Sequence, residues 1–279
     1  MNREVPAPSE EELRRLAVFL HERTGMAHGE SRRGYVERRL VERMQRCAVP
    51  SFGAYMALLR GSAAELEALV NSFTVNETYF YREEAQLACM SQALLPEIVS
   101  RRGPGDLVRI WSVPCSTGDE AYSIALWLLE NWRLVDAYNI EIVGSDIDTR
   151  ALAEAVQGWY GARALQRLPP ELVGRYFEAA AEGRWRIIQD LRESVRFTRV
   201  NLVDAGSMAA QGRFDLIFCR NVLIYFDDAS RATAAWHLHE ALNPGGFLCL
   251  GHSESMARIS ARFVARHLAD AVVYQRPLA

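Results

Sequence analysis

Apolar positions follow helical spacing through roughly the first 75 residues of this chain and then break into short runs of the kind strands use. Ser9 and Glu12 form a capping box ahead of LRRLAVFLHERTG, and Gly25 supplies the stop. A second helix is expected over Arg32–Arg46, and shorter ones near Phe52–Leu59 and Ala63–Phe73. The junction Thr74–Leu87 (TVNETYFYREEAQL) leads into a helix from Glu83 to Ser100, punctuated by Gly103-Pro104-Gly105. Strands are then expected at Val108–Trp111, in IEIVGSD ending at Asp146, at Leu216–Cys219, in GFLCLG and near Val272–Gln275. Helices fall between them at Thr149–Val156, from Pro169-Pro170 to Phe177, at Ala229–Leu242 and after GHSES. Gly183–Ile188 and Ser194–Val200 alternate and predict a small antiparallel insertion, placed at about residues 175–200. Strand alternating with helix argues for a doubly wound α/β sheet behind an all-α unit, with domains at 1–75 and 76–279.

The organising stretch is VRIWSVPCSTGDEAYSIA, from Val108 to Ala125: a strand, a loop of small residues, then a helix. Cys115, Ser116, Thr117 and Gly118 would let backbone N–H groups approach a ligand at the carboxyl end of the strand. The second strand ends at Asp146, 26 residues past Glu120. An acidic residue there can accept two hydrogen bonds from a ribose diol. Capping the next helix is the other use of such an aspartate. The two roles are compatible, with Asp148 as cap and Asp146 as ribose ligand. In the junction, three aromatics crowd Thr78 and Arg82, which predicts an enclosed wall beside one permanent charge.

Composition narrows the classes. A net charge of −3 gives no global pull toward nucleic acid or an anionic membrane. No apolar run approaches the length of a membrane span, and MNREVPAPSEEE carries no signal-peptide pattern. Five cysteines scattered singly fit a reduced, cytoplasmic protein better than a disulfide framework. His237 and His239 diverge on a helix, so no metal site is expected. All 32 basic residues are arginine. Arg39, Arg43 and Arg46 stand at helical i, i+4, i+7 spacing and predict a cationic face, either a solvated surface or a docking face for an acidic partner.

NETYFYR, WSVPCSTGDEAYSIA, SDIDTRAL, FDLIFCRNVLIYF and GGFLCLGHSES, in that order along nearly the whole chain, together resemble the chemotaxis receptor glutamate O-methyltransferase family of CheR type. The resemblance implies a class I S-adenosylmethionine-dependent methyltransferase domain with a small β-subdomain, preceded by a helical domain that docks on the cytoplasmic methylation helices of chemoreceptors. It further implies that Asn76, Thr78 and Arg82 line the cofactor pocket and that Glu120 holds the cofactor's amino-acid end. Asp146 would take the ribose, and Asn201 and Leu202 would flank the adenine. Arg220 and Asn221 would close the site, with Arg82 and Tyr225 as the catalytic pair at the methyl group. Arg39, Arg43 and Arg46 become the docking face. S-adenosylhomocysteine is the implied product.

The chain departs from the family's pattern at Tyr81, Pro114, Asp119 and Ala121, none of which carries an implied polar role. Family members that tether to a receptor pentapeptide do so by strand addition to the β-subdomain. Here EAAAEGRWRI, from Glu178, is about three residues shorter and lacks their glycines, so a pentapeptide-independent enzyme is expected. Other readings are an adaptor that binds S-adenosylmethionine or S-adenosylhomocysteine without catalysis, or a methyltransferase for another protein. CRNVLIYF lacks the D/N-P-P-Y/F signature of base amino-group methylation, and no G-x-G-x-x-G follows the first strand. Some relatives extend into helical repeats, and YQRPLA would suit either a natural terminus or a domain boundary.

Overall fold

Ser9 opens the first helix as its spacing requires: its hydroxyl accepts the Glu12 N–H, the Glu12 carboxylate takes the Ser9 N–H, and Gly25 ends the helix in the left-handed region. The computed structural model describes residues 7–27, 29 and 32–278, so the first six residues of the acidic N-terminal stretch lie outside the described residues. Its contacts divide the chain into two units, residues up to Val75 with Tyr225–Ser230, and Asn76–Ile224 with Arg231 onward.

The first unit holds α1 (Glu10–Thr24), α2 (Arg33–Arg46), α3 (Phe52–Gly61) and α4 (Ala63–Phe73). Leu13, Leu16 and Leu20 of α1 and Val36, Leu40 and Met44 of α2 repeat every three or four residues and meet Tyr55, Leu59, Leu69 and Phe73 in one core.

In the second unit the helix after the junction runs as α5 (Glu84–Cys89), a π turn (Met90–Leu94) and α6 (Leu95–Val99). The strands are β1 (Leu107–Ser112), β2 (Asn139–Asp146), β3 (Trp159–Gly161), β4 (Phe177–Ala179), β5 (Arg184–Ile187), β6 (Val195–Arg199), β7 (Phe214–Cys219), β8 (Leu242–Leu250), β9 (Val264–Leu268) and β10 (Ala271–Gln275). Between them lie α7 (Asp119–Asn131), α8 (Thr149–Gln157), four short helices and a longer helix over Asp228–Glu240. The main sheet runs β6-β2-β1-β7-β8-β10-β9. It is parallel from β6 to β8 and antiparallel at β10 and β9. β7 is buried at every position, as a central parallel strand covered on both faces must be. α7 is buried from Asp119 through Leu128, so the helix that opens at the loop is a core helix rather than a surface one.

Three expectations are corrected. Ser194–Val200 does not pair in the small sheet: β6 lies parallel to β2 as the outer strand of the main sheet. The small sheet is β3-β5-β4, drawn from residues 159–187 rather than 175–200. Alternation marks a half-exposed strand but not its partner, and an outer strand of a parallel sheet alternates as an antiparallel hairpin does. The segment after GHSES forms a 3-10 turn (Met256–Arg258) and a strand, not a helix.

Candidate functional site

β1, β2 and β7 end side by side, and at or just past their carboxyl ends stand Glu120, Asp146, Arg220 and Asn221. In an open parallel sheet this is where ligands bind, because strand order forces the adjoining loops apart. Two polar clusters form there.

The first is centred on Asp146, the last residue of β2 and 4% exposed. Its Oδ2 accepts the Ser116 N–H (2.7 Å) and its Oδ1 the Asp148 N–H (2.9 Å). Burial raises its pKa to about 6 against the opposing pull of the Asp148, Ser116 and Ile147 N–H groups. An ionised carboxylate offers about four lone-pair sites, so acceptor capacity remains for a further donor. Asp148 caps α8, accepting the Arg150 and Ala151 N–H groups. Asn76 donates to Asp148 (2.8 Å) and accepts from the Ser116 hydroxyl (3.2 Å), which ties the junction to both loops.

The loop itself differs from expectation. The Cys115 N–H goes to Ser145 O, that of Ser116 to Asp146, and that of Gly118 to Cys115 O. These donors hold the loop's own shape rather than facing a ligand. Gly118 has φ +88°, and a Cβ there would come within 2.9 Å of Ala155 Cβ and 3.2 Å of the Phe197 ring. The glycine is demanded by close packing of the loop.

The second cluster is built on Arg220, at the end of β7 and 5% exposed. Its guanidinium pairs with Glu120, donates to Arg82 O (2.8 Å), and lies 3.8 Å from Glu83. Glu120 also accepts the Ser112 hydroxyl (2.7 Å). The Arg82 side chain is half-exposed, donates to Glu77 O (2.8 Å) and lies 5.7 Å from the Tyr79 ring centroid. Of the three junction aromatics, only Tyr79 stays beside it. Phe80 is fully buried, edge-on to Tyr160 and Phe177, and Tyr81 is buried against Trp127. The expected aromatic wall is thus mostly an anchor into the core.

Asn221 follows Arg220 in the left-handed region at φ 59°, and its N–H donates to Glu254 (2.7 Å). Thr78 is half-buried. Asn201 shapes its own turn, its Oδ1 accepting the Val203 N–H. The Leu202 side chain is buried, and its carbonyl bonds His237 Nδ1 (2.7 Å). Tyr225 ends a 3-10 turn and groups with the first unit: its carbonyl accepts the Ala27 N–H (2.8 Å), and Arg32 lies 5.1 Å from its ring centroid. Ser112, Glu83 and Glu254 were not singled out from the sequence. Each stands in a stretch quoted above, Ser112 in WSVPCSTGDEAYSIA, Glu83 in the junction and Glu254 in GHSES, but nothing in those stretches alone gives them partners.

The expected docking face on α2 comes apart. Arg43 is only 13% exposed, bonding Glu65 through Nε (3.0 Å) and Nη2, while Tyr55 donates to the same carboxylate (2.6 Å). Arg43 stands seven residues from Val36, nearly two whole turns, and so lies on the apolar stripe with Leu40 and Met44 rather than opposite it. Arg39 is half-buried and paired with Glu42 (3.1 Å), whereas Arg38 and Arg46 are exposed. Arg43 is therefore corrected from a surface cation to a buried structural one.

Among the described residues, no helix is long and apolar enough to cross a membrane. Residues 11–74 match the family described as CheR methyltransferase, all-alpha domain, and residues 76–271 match CheR methyltransferase, SAM binding domain. Over 265 residues the chain is 45% identical to chemotaxis protein methyltransferase 2 of Vibrio cholerae serotype O1, covering 94% of this chain and 92% of that one. It is 34% identical to the chemotaxis protein methyltransferase of Escherichia coli K12, covering 93% and 90% of the two chains. With chemotaxis protein methyltransferase 1 of Pseudomonas aeruginosa it shares 33%, covering 92% and 95%.

Proposed function

This chain belongs to the CheR methyltransferase family and is an S-adenosylmethionine-dependent methyltransferase; from that premise we propose that it methylates glutamate side chains on the cytoplasmic methylation helices of chemoreceptors, in the cytoplasm and without a pentapeptide tether. Residues 76–279 are assigned the transfer and residues 1–75 the docking. The observation that carries the reading is the buried Asp146 carboxylate, held by loop N–H groups with acceptor capacity to spare, in the same crevice as the Glu120–Arg220 pair.

This donor and acceptor set fits the cofactor. Asp146 suits the ribose diol, Glu120 the ammonium and Arg220 the carboxylate of the amino-acid end. Asn76 and Thr78 line the junction side, Asn201 and Leu202 flank the adenine, and Asn221 closes the site. Bound there, S-adenosylmethionine supplies an activated methyl group for transfer, leaving S-adenosylhomocysteine. The acceptor glutamate is already ionised at neutral pH, so the chain needs no general base. What its residues supply is alignment, which is worth orders of magnitude in rate when the reacting groups are held in line. Arg82, half-exposed beside Tyr79, is the cation that orients the incoming carboxylate.

Docking falls to the exposed cations of α2, Arg38 and Arg46, with Arg39 at the edge of that surface. Independence from a pentapeptide is supported by the small sheet, whose outer strands β3 and β4 are three residues long. So short an edge is a poor template for an added strand. The hairpin between β4 and β5 is also tight, the Ala180 N–H closing onto Arg184 O (2.9 Å).

The test is methyl transfer from labelled S-adenosylmethionine to a receptor cytoplasmic fragment, with and without its C-terminal tail. Base-labile label on the receptor, unchanged by removing the tail, is the expected result. Label that requires the tail overturns the tether-free reading, and no label despite cofactor binding overturns the substrate.

A further inference from the structure

Glu254 accepts four backbone N–H groups. Val222 (2.9 Å) and Leu223 (2.8 Å) donate to Oε1, while Asn221 (2.7 Å) and Gly251 (2.9 Å) donate to Oε2. A carboxylate has about four lone-pair sites, so this one is filled. Three of the donors are consecutive in the chain and follow directly on Arg220, with Asn221 in the left-handed region. Successive N–H groups converging in this way form a nest, a concavity that binds anions. The loop after β7 is therefore an anion site occupied by the protein's own side chain.

A second observation points to the same clamp. A Cβ on Gly251 would stand 2.7 Å from Asn221 Nδ2, 2.9 Å from Glu254 Oε2 and 3.0 Å from Asn221 N. The loop after β8 thus approaches the loop after β7 more closely than any side chain allows. Gly251 and Glu254 together fix the gap between the two.

We infer that Glu254 is a positioning residue, an internal carboxylate that fills the nest of residues 221–223 and holds Arg220 and Asn221 in the arrangement methyl transfer requires. The inference rests on the assignment of Arg220 and Asn221 to the reaction crevice. Filling the nest has a second consequence. A free nest beside the methyl group would bind the substrate carboxylate strongly before reaction, stabilising the ground state and giving nothing to the transition state. With the nest filled, the substrate is left to the side chain of Arg82.

Chemical rescue tests this on the whole 279-residue chain. Glu254→Ala leaves a carboxylate-sized space lined by N–H groups, which formate can fill, whereas Glu254→Gln keeps the volume and leaves no room. Measured with receptor fragment and labelled S-adenosylmethionine, kcat of both variants is expected to fall by about 100-fold, the cost of misplacing reacting groups by about 1 Å. KM for the receptor should change far less, and affinity for S-adenosylhomocysteine should fall by a smaller factor than kcat, through Arg220 and Asn221. Formate should restore kcat of Glu254→Ala in a saturable way and do nothing for Glu254→Gln or the unsubstituted chain. Full kcat in either variant overturns the inference. So does formate that raises the melting temperature of Glu254→Ala without restoring kcat, which would make the carboxylate structural only. Should Glu254→Ala fail to fold, the isosteric Glu254→Gln decides on its kcat against KM. An unsubstituted chain inactive on the receptor would count against the proposed substrate alone. The formate-dependent melting of Glu254→Ala would still decide whether the nest takes an anion.

Discussion

Two buried carboxylates stand at strand ends of one sheet, with β1 and β7 between their strands, yet their surroundings fit them for opposite work. Asp146 ends β2 and keeps acceptor capacity, whereas Glu254 follows β8 and has every lone pair taken by an N–H group. Burial raises the pKa of both, and backbone donors pull both back down. Charge and burial are therefore not what separates a ligand-binding carboxylate from a scaffolding one. The number of donors already aimed at it is. Glu65 in the first unit follows the scaffolding pattern by another route, filled by Arg43 and Tyr55 instead of by backbone.

The comparison breaks most sharply at Asp146. Asp146→Asn removes an ionic acceptor and turns an NH2 toward N–H donors. Affinity for S-adenosylhomocysteine, measured by calorimetry, should drop about 100-fold, the value of one or two charge-assisted hydrogen bonds. Glu254→Gln in the same experiment should shift it by only a small factor. Equal losses would erase the distinction between the two carboxylates.

Next in size is Arg43. Arg43→Ala strands the buried Glu65 carboxylate and should cost the chain about 3 kcal/mol in denaturant unfolding. Arg46→Glu should leave stability near its original value and raise KM for the receptor. Burial opposes, but the hydrogen bonds from Arg43 and Tyr55 still lower, the pKa of Glu65. Its stabilising contribution is therefore present above the ordinary glutamate pKa and lost as pH falls through the lowered one. Arg43→Ala should then matter less in acid.

Asp146, whose pKa is shifted up rather than down, gives a signature of the same sign at higher pH, read in affinity rather than stability. Its pKa is about 6 in the folded chain, and in the proposed cofactor site the ionised form is the one with acceptor capacity for the ribose. Affinity for S-adenosylhomocysteine should be flat above pH 6 and fall below it, by at most about tenfold per pH unit. Asp119, also raised to about 6 by burial, offers a control on stability. The folded chain holds its proton between pH 3.8 and 6 while the unfolded chain does not, so stability falls as pH rises through that range. Asp119→Asn should raise the melting temperature at pH 8, by up to about 3 kcal/mol in stability, and have little effect near pH 4.

The smallest effect is expected at Tyr81, whose buried hydroxyl has no hydrogen-bond partner among the described residues. Tyr81→Phe removes an unsatisfied donor and should stabilise the chain by about 1 kcal/mol in thermal melts, without touching the crevice.

Much of this was legible in the one-dimensional pattern, because it depends on neighbours in sequence. The capping box at Ser9, the αL stop at Gly25, the Asp148 cap of α8 and the placement of Asp146 at a strand tip all follow from spacings of a few residues. The sequence by itself determined the helical first unit, the parallel sheet and the end of that sheet at which the crevice opens. Tertiary structure decided the rest, wherever a side chain's partner lies far along the chain. Arg43 finds Glu65 22 residues away, Arg220 finds Glu120 at a distance of 100, and β6 leaves the small sheet for β2. Whether a charged group faces ligand, solvent or its own backbone depends on how many donors the folded chain brings to it, and local spacing carries no record of those.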